Sequence, residues 1–217
     1  MPLITPRLKR SPGFTLIEMA IVLVVIGLIL GMVFKGRELI DQGKVKKIIA
    51  NRNNIIAAAN TYYERYGIFP GDGCEDPHPN NPMNCDPQEY GLHPGVVERD
   101  GSGDADEDSA FWYLLTQKAS IMTEADRESV FGQPWEIISH QALNDNWSGS
   151  YAYGSYMNLP GAAQADPRIV CAVDKRIDDG NSETGTVFLN PGDSSYNQNT
   201  DCWGLSGQVN LVLQILP

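Results

Sequence analysis

Residues 13–34 read GFTLIEMAIVLVVIGLILGMVF and decide the architecture of the chain. From Phe14 onward the stretch is apolar throughout, except for Thr15 and Glu18. If residues 14–34 form an α-helix, these 21 residues span roughly 31 Å, which is the thickness of one bilayer core. The stretch therefore predicts a membrane-spanning helix with a single acidic residue one turn from its start.

The flanks of this stretch predict how it sits in the membrane. Residues 1–13 are short, basic and interrupted by prolines, and basic residues before a span place the N-terminus in the cytoplasm. An ordinary secretory signal would end in a small-x-small cleavage site after the apolar segment. Here the segment runs directly into GMVFKGR at residues 31–37, which has no such site. We therefore expect the apolar segment to be retained.

The helix is predicted to continue far beyond the membrane segment. No proline occurs between Pro12 and Pro70, and apolar residues recur mostly at three- and four-residue steps from residue 40 to 66. This pattern predicts one nearly continuous helix from about 14 to 66, stopped by Gly67 and Pro70, with a length on the order of 80 Å. Because a 150-residue domain cannot bury such a helix, its first half must contact lipid or other subunits.

The remainder of the chain is predicted to form an α+β domain. Residues 68–109 are rich in Gly, Pro, Asp and Asn, as a long loop would be. Helical patterns follow at 109–121 and, with Asp166 as N-cap, at 167–179, and a capping-box pattern at 123–126 opens a shorter helix. Strand-like patterns lie at 134–139, 150–158, 184–190 and 208–216. We expect a small antiparallel sheet packed on the helix near residues 40–66.

Composition excludes several classes of function. The 217 residues carry a formal net charge of −11 with a pI near 4.6, which argues against nucleic acid as a partner. The sequence contains no Gly-x-Ser-x-Gly, phosphate-binding glycine loop or His-Glu-x-x-His, so we do not expect an enzyme.

The cysteines favour disulfides over a metal site. There are four of them, none in a Cys-x-x-Cys pair, and the three histidines are not spaced to complete a zinc site. An even number in a chain that leaves the cytoplasm favours disulfides, and three connectivities are open. Sequence-local pairing, which we prefer, joins Cys74 to Cys85 and Cys171 to Cys202.

The string Gly-Phe-Thr-Leu-Ile-Glu at residues 13–18 resembles the type IV prepilins and the pseudopilins of type II secretion. The resemblance covers residues 1 to about 66 and implies the type IV pilin-like fold, in which a long N-terminal helix packs on a small antiparallel sheet. It also implies that a membrane peptidase cuts between Gly13 and Phe14 and methylates the new Phe14 amine. Cleavage would leave 204 residues and take the formal charge from −11 to −14.

The implied organisation has four parts. They are a cytoplasmic leader at 1–13, a transmembrane and assembly helix at 14–34, the amphipathic half of the same helix at 35–67, and a globular α+β head at 68–217.

The chain departs from the pilin pattern at the end of the apolar segment. Many pilins carry a proline there, at a point where the helix partly unwinds in the filament. This chain has Lys35-Gly36, and glycine weakens a helix by about 1 kcal/mol.

Glu18 has a physical role that stands beside the resemblance. A carboxylate in lipid costs several kcal/mol, and we expect no partner for it within its own segment. Cleavage creates a cationic amine at Phe14. The amine of a neighbouring subunit would neutralise Glu18 at a defined axial offset, and so set the register of otherwise interchangeable apolar helices.

Three functions remain open at this point. The first is a structural subunit, major or minor, of an extracellular type IV pilus-like filament. The second is a pseudopilin of a periplasmic type II secretion pseudopilus, and the third a membrane-anchored binding protein or adhesin that never polymerises. The resemblance implies a single-pass inner-membrane stage before assembly. It also implies a prepilin peptidase, an inner-membrane assembly platform and other pilin subunits, identical or different, as partners.

An acidic loop offers one cofactor hypothesis. Oxygen-bearing side chains alternate with spacers in the way that Ca²⁺ loops require, at Asp100, Ser102, Asp104, Asp106 and Asp108. Ala105 stands where such a loop needs glycine, and Phe111 where it needs a bidentate Glu. Two interpretations of this loop remain open, namely calcium binding and a solvated acidic loop.

Two further motifs, FPGD at 69–72 and KRIDDG at 175–180, resemble those of some pilin-like proteins and imply fold rather than chemistry.

Overall fold

The computed structural model describes residues 13–72, 106–139, 154–159, 165–189 and 195–216. Its helices are α1 (Leu16–Tyr66), α2 (Asp106–Tyr113), a π-helical turn (Leu114–Lys118), α3 (Glu124–Arg127), α4 (Pro167–Ile177) and a 3₁₀ turn (Cys202–Gly204). Its strands are β1 (Glu136–Ser139), β2 (Ser155–Asn158), β3 (Val187–Leu189) and β4 (Leu211–Leu216). The fold is α+β, with one long N-terminal helix followed by a small antiparallel sheet, as predicted.

Helix α1 is a single uninterrupted helix of 51 residues. It passes through Lys35-Gly36 without a break, and there Lys35 Nζ lies 2.6 Å from Glu38 Oε2 across one turn. It ends where the sequence predicts: Gly67 has a φ of +79°, and its N–H donates to the carbonyl of Tyr63 at 2.7 Å. A left-handed glycine after the last turn is a common helix stop, because glycine has no Cβ to clash.

The four strands form one antiparallel sheet in the order β1-β2-β4-β3. The last strand in the chain, β4, is therefore central, between β2 and β3, and its residues are buried on both faces except for Gln214, which is half-buried. One face of the sheet carries a separate apolar cluster, formed by Ile138, Tyr156, Phe188 and Val212. The other face contributes to the main core.

The main core lies in the part of the chain that begins at Gly43. The chain divides into two compact units, Met1–Gln42 and Gly43–Pro217, and the division falls inside α1. In the second unit the buried side chains of α1 belong to the same apolar cluster as α2, α4 and the sheet. The buried α1 side chains in this cluster are Val45, Ile48, Ile55, Ala58, Ala59 and Tyr62.

The helix predicted at 109–121 differs in the structure. α2 begins at Asp106, and after Tyr113 the chain widens into a π-helical turn, in which Ala119 N–H donates to Leu114 O at 2.9 Å. The Thr116 hydroxyl donates to Trp112 O at 2.8 Å and so competes for a carbonyl that a regular helix would use. This competition between side chain and backbone was not apparent from the apolar pattern.

The two shorter helices α3 and α4 begin at the capping residues that the sequence predicts. In α3, Asp126 Oδ2 accepts from Thr123 N at 2.9 Å and from Thr123 Oγ1 at 2.8 Å. In α4, Asp166 Oδ1 accepts from Arg168 N at 3.0 Å, with Pro167 in the first turn.

A disulfide joins Cys171 of α4 to Cys202 of the 3₁₀ turn, the second of the two predicted bridges. The predicted Cys74–Cys85 bridge lies outside the described residues.

Candidate functional site

The start of α1 is closed by Thr15 and Glu18. Glu18 Oε2 accepts from both Thr15 N and Thr15 Oγ1 at 2.8 Å, and Glu18 N donates back to Thr15 Oγ1 at 3.3 Å. This reciprocal pattern is a capping box, in which the third helical residue and the N-cap satisfy each other's free N–H groups. The helix therefore begins at Leu16, two residues later than predicted.

The capping box corrects one expectation about Glu18. We expected no partner for it within its own segment, yet Thr15 supplies two donors to its carboxylate. These donors are neutral, so they satisfy hydrogen-bonding capacity but leave the negative charge uncompensated. A carboxylate held at the N-terminus of a helix is also favoured by the helix dipole. The geometry thus fixes the carboxylate in place and leaves it available to a cation.

The surface around Glu18 is apolar and exposed. Every residue from Leu16 to Phe34 is exposed, and the side chain of Phe14 is 82% exposed. Among the described residues, one helix, α1, is long and apolar enough to cross a membrane by length and composition. The arrangement therefore presents an apolar cylinder, with a chain end at Phe14 after the predicted cleavage and a fixed carboxylate one turn away.

Residues 8–34 match the prokaryotic N-terminal methylation motif. The chain carries the type IV pilin and pseudopilin signature. The match includes Gly13, Phe14 and Glu18 and ends with the apolar stretch at Phe34. No curated protein and no solved structure matches the chain. The signature together with α1 fits anchoring in a membrane before assembly.

The acidic loop predicted to bind calcium lies mostly outside the described residues. Asp100, Ser102 and Asp104 belong to that part of the chain, while the backbone of Asp106 and Asp108 forms the first turn of α2. A helix that begins within the loop is also what the solvated-loop interpretation requires, because acidic residues favour a helix N-terminus. Calcium binding by this loop remains a prediction.

A second cluster of acidic side chains, which we did not predict as a site, lies at the end of α4. One carboxylate oxygen from each of Asp174, Asp178 and Asp179 lies within 4.8 Å of the others. The KRIDDG motif indicated two of these residues, but only as a mark of the fold. Asp174 was missed because nothing in the local pattern shows that the last turn of α4 brings it beside the other two.

Asp174 is the unusual member of the cluster. Its side chain is fully buried, and Asp174 Oδ1 accepts from Gly180 N at 2.8 Å. Burial raises the pKa of Asp174 to about 6, against the lowering effect of its hydrogen bonds. Burial, together with the neighbouring Asp174 carboxylate, also raises the pKa of the Tyr196 hydroxyl above its ordinary value. The cluster thus combines a desolvated carboxyl group with a neutral phenol.

Proposed function

We propose that the chain is a structural subunit of an extracellular type IV pilus-like filament. The observation that carries the proposal is the methylation motif at 8–34, which includes the exposed apolar first part of α1. Cleavage after Gly13 would release the Phe14 amine at the end of that helix. The subunit would wait in the inner membrane and leave it by packing α1 against the α1 helices of neighbouring subunits.

The register of that packing would depend on Glu18. Apolar helices associate without a preferred axial offset, since one leucine surface resembles the next. A buried pair between the Glu18 carboxylate and a neighbour's Phe14 amine selects one offset, because any other leaves two unpaired charges in an apolar interior at a cost of several kcal/mol. The capping box supports this role, since it holds the carboxylate in one orientation.

Fractionation of cells that express the chain tests this proposal. We expect the protein in filaments that are released by shearing, and we expect its deletion to reduce or shorten those filaments. Recovery in the periplasm, with loss of protein secretion on deletion, would instead assign it to a pseudopilus. Recovery only in the membrane fraction, under conditions where other pilins are sheared off, would contradict assembly and favour an anchored binding protein.

A further inference from the structure

We propose that Asp174 is a buried proton switch for the loop between α4 and β3, which is held closed by the protonated form and loosened by the ionised form. Asp174 lies in the last turn of α4, and its side chain is fully buried. Burial favours the neutral form of a carboxyl group, because the charged form loses its hydration. The filament assembly proposed above does not use this group, so the switch is a separate property of the head.

Two features of the surroundings also disfavour a charge on Asp174. The free carbonyl groups at the C-terminal end of a helix carry partial negative charge, so this end disfavours carboxylates. In addition, one carboxylate oxygen from each of Asp174, Asp178 and Asp179 lies within 4.8 Å of the others. Asp178 is half-buried and Asp179 is exposed, so water solvates their charges in part. Asp174 is therefore the member of the group that takes up a proton first as the pH falls.

Two hydrogen bonds oppose these effects by stabilising the ionised form of Asp174. Its Oδ1 accepts from Gly180 N at 2.8 Å, and the buried hydroxyl of Tyr196 is its side-chain hydrogen-bond partner. The balance raises the pKa of Asp174 from its ordinary value of 3.8 to about 6, and burial is the largest cause. Both forms of the group are therefore populated in the folded protein close to neutral pH.

The cationic side chains of the neighbouring elements do not neutralise Asp174. Among the described residues, no Lys or Arg forms an ion pair with it. Lys175, on the same helix turn, donates its Nζ to two backbone carbonyls, at 2.6 and 2.9 Å. Arg52 of α1 interacts electrostatically with Asp178, and its Nε donates to a carbonyl of β4 at 2.8 Å. The other charged side chains of the adjoining segments, none of which forms an ion pair or hydrogen bond with Asp174 in the described part of the chain, are Arg176, Glu183 and Asp201.

The contacts of the loop explain how a charge on Asp174 would act on it. Tyr196 joins the switch to the loop, because its hydroxyl faces Asp174 and its backbone N and O bond to Ser182 Oγ, each at 3.1 Å. Ser182 O in turn accepts from Leu189 N of β3 at 3.1 Å. The Asp178 carboxylate accepts from two backbone N–H groups at the start of β3. Ionisation of Asp174 places a second negative charge beside this carboxylate, and the repulsion weakens the attachment of β3.

The direction of the pH dependence follows from the two pKa values of Asp174. In the unfolded chain the group takes up a proton near pH 3.8, whereas in the folded head it does so near pH 6. The stability that the bound proton contributes is complete below pH 3.8, falls as the pH rises, and is lost above about pH 6. The loop is therefore tighter in acidic surroundings than at neutral pH.

The test follows the full mature chain in detergent between pH 5 and pH 7.5. We expect the wild type to lose about 3–5 °C of melting temperature beyond any loss in Asp174→Asn, which keeps an acceptor for Gly180 but cannot ionise. Hydrogen exchange, corrected for its intrinsic pH dependence, should show about tenfold more opening of residues 178–189 at pH 7.5 in the wild type. Asp174→Asn should show no such increase.

Two further variants test the switch even if Asp174→Asn fails to fold, because each moves the pH at which the loss of melting temperature levels off. Asp179→Asn removes a neighbouring negative charge and should lower that pH. Tyr196→Phe removes a donor to the ionised form and should raise it. Asp201→Asn is the control, because it removes an exposed carboxylate that accepts from Trp203 N at 3.1 Å, and it should leave that pH unchanged.

Three results would overturn the proposal. The first is the same pH dependence in the wild type and in Asp174→Asn. The second is a levelling pH that neither Asp179→Asn nor Tyr196→Phe moves, or that they move in the opposite directions. The third is an equal shift in Asp201→Asn, which would assign the effect to the overall charge of the head instead of to Asp174.

Discussion

Glu18 has two separable properties at the scale of the single residue. Its carboxylate accepts two hydrogen bonds from Thr15, which caps α1, and it carries a negative charge in an apolar segment. Glutamine would keep an acceptor oxygen for the capping box but would lose the charge. The pair Glu18→Gln and Glu18→Ala therefore separates helix capping from charge pairing between subunits.

We predict that both variants reach the membrane and are cleaved at normal levels, yet give at least about tenfold fewer sheared filaments. The reason is that an incoming Phe14 amine would remain unpaired in an apolar interior, and each 1.4 kcal/mol of that cost is about a factor of ten. Immunoblots of sheared and membrane fractions measure both quantities. If Glu18→Gln assembles like the wild type, capping rather than charge is the role of this residue.

At the scale of the element, the turn between α4 and β3 depends on a glycine. Gly185 has a φ of +88°, and a Cβ built there would lie 2.1 Å from Asp178 Oδ2. The Asp178 carboxylate cannot move aside without breaking its hydrogen bonds to the backbone of Thr186 and Val187. Gly132 is a matched control, because its φ is +81° but nothing lies within 4 Å of the same Cβ position.

We predict that Gly132→Ala lowers the free energy of unfolding by about 1–2 kcal/mol, the cost of the left-handed conformation alone. Gly185→Ala should cost at least about 3 kcal/mol, because steric overlap is added to that conformational strain. Urea unfolding of the full chain in detergent, followed by tryptophan fluorescence, measures both values. Equal losses in the two variants would show that the contact with Asp178 is not restrictive.

The elements also show which kinds of pattern could be read from the sequence. Helix α1, the cap of α4 and the stop at Gly67 were predictable, because each depends on residues that are neighbours in the chain. The π-helical turn was not predictable, since it depends on how the Thr116 hydroxyl competes with the backbone in the folded protein. The approach of Tyr196 to Asp174 was missed for a similar reason, because tertiary packing brings together residues that are 22 positions apart.

At the scale of the whole molecule, the two units differ in what they bury. The unit that begins at Gly43 has its own apolar core, whereas the apolar side chains from Leu16 to Phe34 are exposed. An exposed apolar helix of this length is stable only in lipid or against other apolar helices. In the proposed function, the same surface would serve first as an anchor and then as the contact between subunits, and processing at Gly13 would separate the two states.

The N-terminal peptide of the protein in sheared filaments tests this account most directly. Mass spectrometry of that fraction would report assembly, cleavage and modification in one measurement. We predict a chain that starts at Phe14, carries one N-methyl group and lacks residues 1–13. A chain in the filament fraction that starts at any other residue would contradict the account, as would a processed chain that is never found outside the membrane.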